Sequence, residues 1–308
     1  MTQLVKRRNH QPTPVVLSIA GFDPSSGAGI TANIKTIAAH GCYGATCITA
    51  LTVQTTEGVR AVEAVEPEMV RATLRELAAD LPISAVQIGM LGSAAVVEAV
   101  LEFLENTHPP NVVLDPVMSS SSGAELLDAA GVALLKSRML PLVSVVTPNI
   151  DEVAVLSGLA VPEPRLSAAR PIDPDPYIDP DWEADRDREA DPRLRAAVAA
   201  GKVLLECGVK AVVVTGGHLQ KPTDVLLWRP EGKLQIRAFA SRRIESRSTH
   251  GTGCAFAASL ACSLALGTAL PEAVARAQQY VFRAIQTAEP LGRGIGPINH
   301  LWPLQQGR

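Results

Sequence analysis

Short apolar runs alternate along the chain with longer segments whose apolar residues recur at helical spacing. The first run, 15–20, is rich in β-branched residues and ends at Gly21, which is typical of a buried strand. Further strands are predicted at 44–53, 85–88, 112–115, 143–147 and 210–215, with shorter β-like runs at 223–228 and 234–240. Helices are predicted at 30–40, 67–80, 93–106, 123–138, 150–157, 193–207, 253–267 and 271–288. This alternation predicts an α/β domain built on a mostly parallel central sheet, with helices on both faces.

One segment, residues 161–192, interrupts the alternation. It contains seven prolines and ten acidic residues but few aliphatic ones. Such a composition buries too little apolar surface to offset the entropy lost on ordering. We therefore predict a single domain over 15–300, preceded by a flexible N-terminal segment, 1–14, and carrying a mobile acidic insertion at 161–192. A segment that docks a partner is the alternative interpretation of the insertion, but a solvated loop is the simpler one.

Composition and charge narrow the class of protein. The 308 residues are 47% hydrophobic and 19% charged, as in globular proteins, and the net charge of −3 excludes the strongly basic surface of a nucleic-acid-binding protein. Residues 161–192 alone carry −6, so the rest of the chain carries +3. The five cysteines form no CxxC pair and the N-terminus has no apolar signal region, which predicts a reduced, cytoplasmic protein. The uncharged stretch 248–270 opens with glycines and continues with small residues, which favours a buried helix over a membrane span.

Four polar motifs follow predicted strands, where α/β sheets bind their ligands. In the first, GFDPSSGAG (21–29), the glycines permit close backbone approach and Asp23 has oxygens that can accept hydrogen bonds from a ligand. In the second, VVLDPVM (112–118), Asp115 at the end of an apolar strand suits a ligand or Mg²⁺. A glycine-rich turn and an Asp-Pro turn are the respective structural alternatives.

The other two motifs open predicted helices. In TPNIDE (147–152), Asn149 and Glu152 lie on one helix face and offer oxygen ligands to hydrated Mg²⁺, although a capping box is the favoured explanation of this motif taken alone. In STHGTGC (248–254), Gly251 and Gly253 expose backbone N–H groups that, with the helix dipole, form an anion hole for a phosphoryl group. Cys254 falls in the first helical turn, where a thiol pKa tends to be lowered; a small buried cysteine is the alternative. The GxxxxGK[ST], HRD/DFG, HExxH and GxSxG motifs are absent.

Taken together, these motifs resemble the hydroxymethylpyrimidine/phosphomethylpyrimidine kinases of thiamine biosynthesis, which have a ribokinase-like fold. The resemblance rests on residues 18–59, QIGML (87–91), VLDPVMSSSSG (113–123), TPNIDE, VTGGHL (214–219) and STHGTGC, in the order and spacing of that family. It implies a homodimer that uses ATP and Mg²⁺ in two successive phosphorylations. The first acts on 4-amino-5-hydroxymethyl-2-methylpyrimidine and the second on its monophosphate, giving the diphosphate.

The resemblance also implies roles for individual residues, matched position by position. The pyrimidine pocket would be formed by Asp23, Ala28, Gln54, Met90 and Val117. The Mg²⁺ ion would be held, mostly through water, by Asp115, Asn149 and Glu152, which with Thr215, Gly216 and Thr249 would form the ATP and phosphate site. The anion hole and activating position would be Gly251, Thr252, Gly253 and Cys254. Cys254 is then either the base that takes the hydroxyl proton or a group that holds the phosphoryl group; positioning and anion stabilisation are favoured as the larger contributions.

Three features depart from the family pattern. Phe22 stands where the family has a small Ser or Thr, Thr215 stands where it has Lys, and 161–192 exceeds its usual connection. The first two leave substrate choice and ATP affinity open. A pyridoxal kinase of the same superfamily is the nearest alternative, although a pyridine ring has no exocyclic amine to match Gln54. The loss of Lys also leaves open a catalytically weakened metabolite-binding protein, against which Asp115, Asn149, Glu152 and the intact 248–254 loop argue.

Overall fold

The structure is a computed structural model, and it describes residues 12–120, 123–162, 192–219 and 221–305. Most of the predicted N-terminal segment, 1–14, and of the predicted insertion, 161–192, lies outside these residues. The predictions of flexibility for both segments therefore stay predictions.

A nine-stranded sheet forms the centre of the described domain. Its strands lie in the order β3-β2-β1-β4-β5-β6-β7-β8-β9. The five pairs from β2 to β7 are parallel, and the pairs β2–β3, β7–β8 and β8–β9 are antiparallel. The strands are β1 (Val15–Phe22), β2 (Tyr43–Thr55), β3 (Gly58–Ala64), β4 (Ile83–Ile88), β5 (Val112–Leu114), β6 (Val145–Val146), β7 (Ala211–Val214), β8 (Thr223–Trp228) and β9 (Gln235–Ala240). The predicted mostly parallel sheet is confirmed.

Helices cover both faces of this sheet, as the near-continuous apolar strands require. The helices are α1 (Gly29–Ala39), α2 (Pro67–Asp80), α3 (Ala94–Thr107), α4 (Ala129–Leu134), α5 (Ile150–Ser157), α6 (Pro192–Glu206), α7 (Thr252–Ala265), α8 (Leu270–Gln286) and α9 (Trp302–Gln305). Alternate strand residues point to opposite faces: Leu17 and Ile88 pack with α2 to α6, whereas Val16 and Val113 pack with α1, α7 and α8. Among the described residues, no helix is long and apolar enough to cross a membrane.

Two parts of the sequence prediction were wrong. The helix predicted at 123–138 begins only at Ala129, because Asp128 caps it there and the preceding chain turns back through a bridge between Ser119 and Glu125. The prediction also missed β3, an exposed edge strand that pairs with β2. A further short pair, β10 (Ser248–His250) with β11 (Gly296–Pro297), brings the C-terminal segment beside the start of α7.

Candidate active site

The glycine-rich loop after β1 is organised by Asp23. One carboxylate oxygen accepts hydrogen bonds from the N–H and hydroxyl of Ser25, at 2.8 and 2.7 Å. The other accepts from the N–H groups of Gly27 (3.2 Å) and Ala28 (2.8 Å). Burial opposes ionisation of Asp23, but hydrogen bonds from His250, Ser25 and Ala28 outweigh it and lower the pKa. Both Asp23 oxygens already accept hydrogen bonds from the protein, and the expectation that Asp23 also accepts from a ligand stays a prediction.

His250, which the sequence analysis left without a role, joins this loop to the pocket. Its Nε2 lies 2.9 Å from the second Asp23 oxygen and 3.0 Å from the side-chain amide of Gln54. The ring packs directly on Gly27, where an added Cβ would lie 2.3 Å from His250 Cδ2. The signal was present in the STHGTGC motif, in which the histidine stands between the strand and the anion hole.

The predicted pocket residues Met90 and Val117 lie near the glycine-rich loop. Met90 and Val117 belong to one apolar cluster with Ala50 and Leu126. This cluster borders the glycine-rich loop, since a Cβ added at Gly21 would lie 2.8 Å from the sulfur of Met90. The structure therefore brings together an amide, a histidine and apolar walls, a combination that suits a small polar heterocycle.

The loop that opens α7 lies against the glycine-rich loop. Gly251 has a φ of +87°, and a Cβ there would lie 1.8 Å from the carbonyl oxygen of Gly27, so only glycine fits. Thr252 and Gly253 begin the helix, and Thr249 is exposed on the preceding strand. The first N–H groups of a helix have no intrahelical partner, so this end can bind an anion.

Two acidic side chains, Asp115 and Glu152, are buried beside this helix start. An Asp115 oxygen would lie 3.6 Å from a Cβ on Gly253. Burial raises the pKa of Asp115, and burial together with the negative charge of Asp115 raises the pKa of Glu152. The described residues contain no group of three or more His, Cys, Asp or Glu side chains that could bind a metal. The pair of Asp115 and Glu152 therefore suits a cation that keeps several water ligands and contacts phosphate, which is how Mg²⁺ binds.

The environment of Cys254 differs from the expectation. Burial, and then the nearby Asp115 carboxylate, raise the pKa of its thiol to about 12, and the hydrogen bond from the Gly29 N–H offsets them only in part. The expected lowering by the helix start is therefore wrong, because desolvation and a neighbouring negative charge outweigh the helix dipole. Cys254 lies in the site as a neutral thiol.

Asn149 is a helix cap in this structure. Its Oδ1 accepts the N–H groups of Asp151 and Glu152, both at 2.9 Å, while Glu152 Oε2 accepts the N–H of Asn149 at 2.8 Å. The Asn149 oxygen therefore already accepts two hydrogen bonds from the protein, and the expectation that Asn149 helps to hold Mg²⁺ stays a prediction. Glu152 uses one oxygen in this capping box, and its carboxylate also accepts a hydrogen bond from the backbone N–H of Met118.

The remaining predicted phosphate residues follow β7. Thr215 bridges to Asn149, and its N–H donates to the carbonyl of Pro148 at 2.9 Å. The N–H of Gly216 donates to the buried carboxylate of Asp224 at 3.0 Å and is not free for a phosphate. Asp224, which the sequence analysis missed, is held in turn by Gln278 at 3.0 Å. These contacts fix the 215–216 turn next to the carboxyl pair, and neither Thr215 nor Gly216 adds a charged side chain there.

Comparison with known proteins places these features in a family. The family model described as phosphomethylpyrimidine kinase matches residues 23–170 and 187–299, which leaves only 171–186 unmatched inside the predicted insertion. The hydroxymethylpyrimidine/phosphomethylpyrimidine kinase of Streptomyces coelicolor is 40% identical over 94% of this chain and 96% of its own length. The enzyme of the same name from Escherichia coli is 39% identical over 92% and 96%.

Solved structures agree with this placement. The ADP complex of Bacillus subtilis pyridoxal kinase has a TM-score of 0.74 at 28% identity and covers 94% of this chain and 97% of its own. The phosphomethylpyrimidine kinase of Clostridium difficile has a TM-score of 0.69 at 30% identity and covers 89% and 100%. The fold is therefore ribokinase-like, and the chain belongs to the phosphomethylpyrimidine kinase family.

Proposed function

We propose that this chain transfers the γ-phosphoryl group of ATP to 4-amino-5-hydroxymethyl-2-methylpyrimidine and then to the resulting monophosphate, in thiamine biosynthesis. The observation that carries the proposal is the contact between Gly251 and Gly27. It joins a pocket suited to an aminopyrimidine to a helix start suited to a phosphoryl group. The names of the relatives support the same substrate and its phosphorylated form.

In this proposal the pyrimidine is bound by the pocket formed by Gln54, Met90, Val117 and Ala28. The amide of Gln54 can accept from the exocyclic amine of the pyrimidine and donate to a ring nitrogen. Met90 and Val117 enclose the ring and exclude water from it. Ala28, whose N–H is held by Asp23, lines the loop that faces the hydroxymethyl group in this proposal.

In this proposal the loop that opens α7 holds the phosphoryl group during transfer. Phosphoryl transfer depends on positioning and charge stabilisation more than on covalent participation of the protein. The N–H groups over 251–254 would hold the transferring phosphoryl group, with Thr249 and Thr252 at its edge. Asp115 and Glu152 fit Mg²⁺ because they are two buried acids close to each other, so that burial and then the charge of Asp115 raise the pKa of Glu152. When bound there, Mg²⁺ would supply positive charge to the phosphate oxygens.

Exchanging the Cys254 thiol for another group tests whether it is the base. We expect Cys254→Ala to lower kcat at saturating substrates by no more than about tenfold, because a thiol with a pKa of about 12 is not ionised near neutral pH. Loss of a general base costs about 10²- to 10⁴-fold. Steady-state kinetics of the alanine and serine variants check this. A kcat of Cys254→Ala more than 100-fold below that of the parent would assign the base role to Cys254.

Pyridoxal is the second candidate substrate, because the structural relatives include the pyridoxal kinase of Bacillus subtilis. Coupled ATP turnover with the pyrimidine, its monophosphate and pyridoxal, compared side by side, separates the two candidates. We expect the highest kcat/KM with the pyrimidines. Faster turnover of pyridoxal would favour the alternative, and binding without turnover of any of them would favour a metabolite-binding protein.

Two further properties belong to the same proposal. A cytoplasmic location would supply ATP and keep the five cysteines, all free in the structure, in reduced form. A homodimer, which the family resemblance implies, would appear by sedimentation as a particle of twice the 32.5 kDa chain mass.

A further inference from the structure

A C-terminal segment, residues 295–300, lies against the loops that form the candidate site. The N–H of Ile295 donates to the carbonyl of Thr56 at 2.9 Å, in the turn between β2 and β3. Strand β11 of this segment pairs with β10, and the N–H of Ile298 donates to the carbonyl of His250 at 3.3 Å. The segment therefore runs beside the strand that leads into the loop at the start of α7.

His300 connects this segment to the glycine-rich loop. Its Nε2 lies 3.1 Å from the carbonyl oxygen of Gly27, and because a carbonyl can only accept, Nε2 carries the proton. Burial lowers the pKa of His300 to about 4, so the ring is neutral near pH 7 and its Nδ1 is an acceptor. The hydroxyl of Thr36 lies 3.4 Å from Nδ1 and can donate to it. These neighbours fix the tautomer that donates to Gly27.

The Gly27 carbonyl is the point at which the two loops of the site meet. A Cβ on Gly251 would lie 1.8 Å from its oxygen, so Gly251 packs directly on the carbonyl that His300 holds. The Asp23 carboxylate accepts the N–H groups of Gly27 and Ala28 within the glycine-rich loop. The orientation of the Gly27 backbone is therefore set by Asp23 and His300 together.

We propose that His300 is a positioning residue, which, through the Gly27 carbonyl, holds the glycine-rich loop against the loop that opens α7. This inference rests on the proposed function, in which the first loop faces the hydroxymethyl group and the second holds the phosphoryl group. Loss of the N–H donor would leave the buried carbonyl without this partner and let the two loops separate. Each loop would keep its own hydrogen bonds, so the substrates would still bind but the reacting groups would be misaligned.

The surroundings of His300 suit a residue that holds a fixed position. Only 3% of it is exposed, and its backbone carbonyl accepts the hydroxyl of Tyr280, on α8, at 2.5 Å. The N–H of the preceding Asn299 donates to the carbonyl of Ala284, also on α8, at 3.0 Å. The segment is thereby attached to α8, and the ring of His300 reaches from it to Gly27.

Matched histidine variants test the proposal. His300→Leu removes the donor to Gly27, whereas His300→Gln keeps an N–H donor. His40→Leu is the control, because His40 lies 2.9 Å from the hydroxyl of Ser259, in the middle of α7 and not in either loop. Steady-state kinetics are combined with hydrogen–deuterium exchange of residues 21–29, read by mass spectrometry, and thermal unfolding checks that each variant is folded. If His300→Leu does not fold, His300→Phe, which fills the volume of the ring without an N–H, takes its place.

We expect His300→Leu to lower kcat with the pyrimidine by at least about tenfold, since misaligned reactants react slowly even when bound. The KM values for ATP and the pyrimidine should stay within about threefold of the parent, which a loss of binding would not allow. Amide exchange over 21–29 should become faster, because the loop has lost a hydrogen bond that holds it. His300→Gln should keep most of the parent's kcat, and His40→Leu should leave both kcat and this exchange nearly unchanged.

A kcat of His300→Leu within about twofold of the parent, or equal losses of kcat in His300→Leu and His40→Leu, would overturn the role of His300. Unchanged exchange over 21–29 in His300→Leu would overturn it as well. If the parent phosphorylates pyridoxal but not the pyrimidine, the proposed function fails, and the same comparison with pyridoxal decides the role of His300. If the parent phosphorylates neither, the exchange measurement alone decides that role.

Discussion

Replacing Gly251 with alanine should lower kcat for pyrimidine phosphorylation by about 100-fold or more. The residue has a φ of +87°, and a methyl group would lie 1.8 Å from the carbonyl oxygen of Gly27. The start of α7 must then move away from the glycine-rich loop, so its N–H groups would no longer face the phosphoryl group in the proposed site. Removal of one such donor costs about 10²- to 10³-fold in characterised enzymes. Steady-state kinetics at saturating ATP and pyrimidine measure the loss.

Gly267→Ala is the matched control for this change. Gly267 follows the other end of α7, has a φ of +80°, and has open space where a Cβ would be added. It carries the same backbone strain without the clash, so its kcat should stay within about twofold of the parent. Equal losses in the two variants would mean that strain in the chain, and not the contact between the loops, causes the effect.

Replacing Asp115 with asparagine should lower kcat by about 100-fold or more and remove the stabilisation that Mg²⁺ bound at the proposed site would give to the folded protein. The residue forms the buried acidic pair with Glu152, and the amide cannot neutralise a cation. Thermal unfolding of the parent with and without Mg²⁺ gives a readout independent of activity, because a ligand that binds the folded state stabilises it. Asp151→Asn is the control, because Asp151 is an exposed acid next to Glu152 at the start of α5. This variant should keep the rise in unfolding temperature that Mg²⁺ causes.

The same variant should change how stability depends on pH in the absence of Mg²⁺. Burial raises the pKa of Asp115 from 3.8 to about 7, so the folded state binds more protons than the unfolded state between these values. Stability from this group is therefore lost as pH rises through that window. Relative to the parent, Asp115→Asn should gain several degrees in Tm between pH 5 and pH 8. If the difference in Tm between Asp115→Asn and the parent stayed constant from pH 5 to pH 8, the raised pKa of Asp115 would be contradicted.

The sequence predicted elements well where the start and stop residues are clear. The bounds of α2, α5 and β8 agree with the predicted 67–80, 150–157 and 223–228; Pro67 begins α2, and Asn149 and Gly158 bound α5. The edge strand β3 was missed, since half-exposed strands have a weak apolar signal. The helix at 123–138 was misplaced because apolar spacing does not show where a capping residue such as Asp128 begins it.

For the candidate site, the sequence predicted the location but not the roles of individual polar atoms. The motifs placed Gln54, Met90, Asp115 and the 251–254 loop at one edge of the sheet. The roles of individual polar atoms depended on contacts between distant segments. Asp23 and His250 are 227 positions apart, and their hydrogen bond fixes what each can offer a ligand. The thiol pKa of Cys254 depends on Asp115 and on burial, which no local pattern reports.

The identity of the product decides whether this chain phosphorylates the pyrimidine twice. Purified protein would be incubated with ATP, Mg²⁺ and 4-amino-5-hydroxymethyl-2-methylpyrimidine, and the pyrimidine species would be followed over time by mass spectrometry, with Gly251→Ala as the control. We expect the monophosphate to appear first and to be converted to the diphosphate, and both steps to be slower in the control. A pyrimidine that stays unphosphorylated, while pyridoxal or another alcohol is converted in the same preparation, would contradict the proposed function.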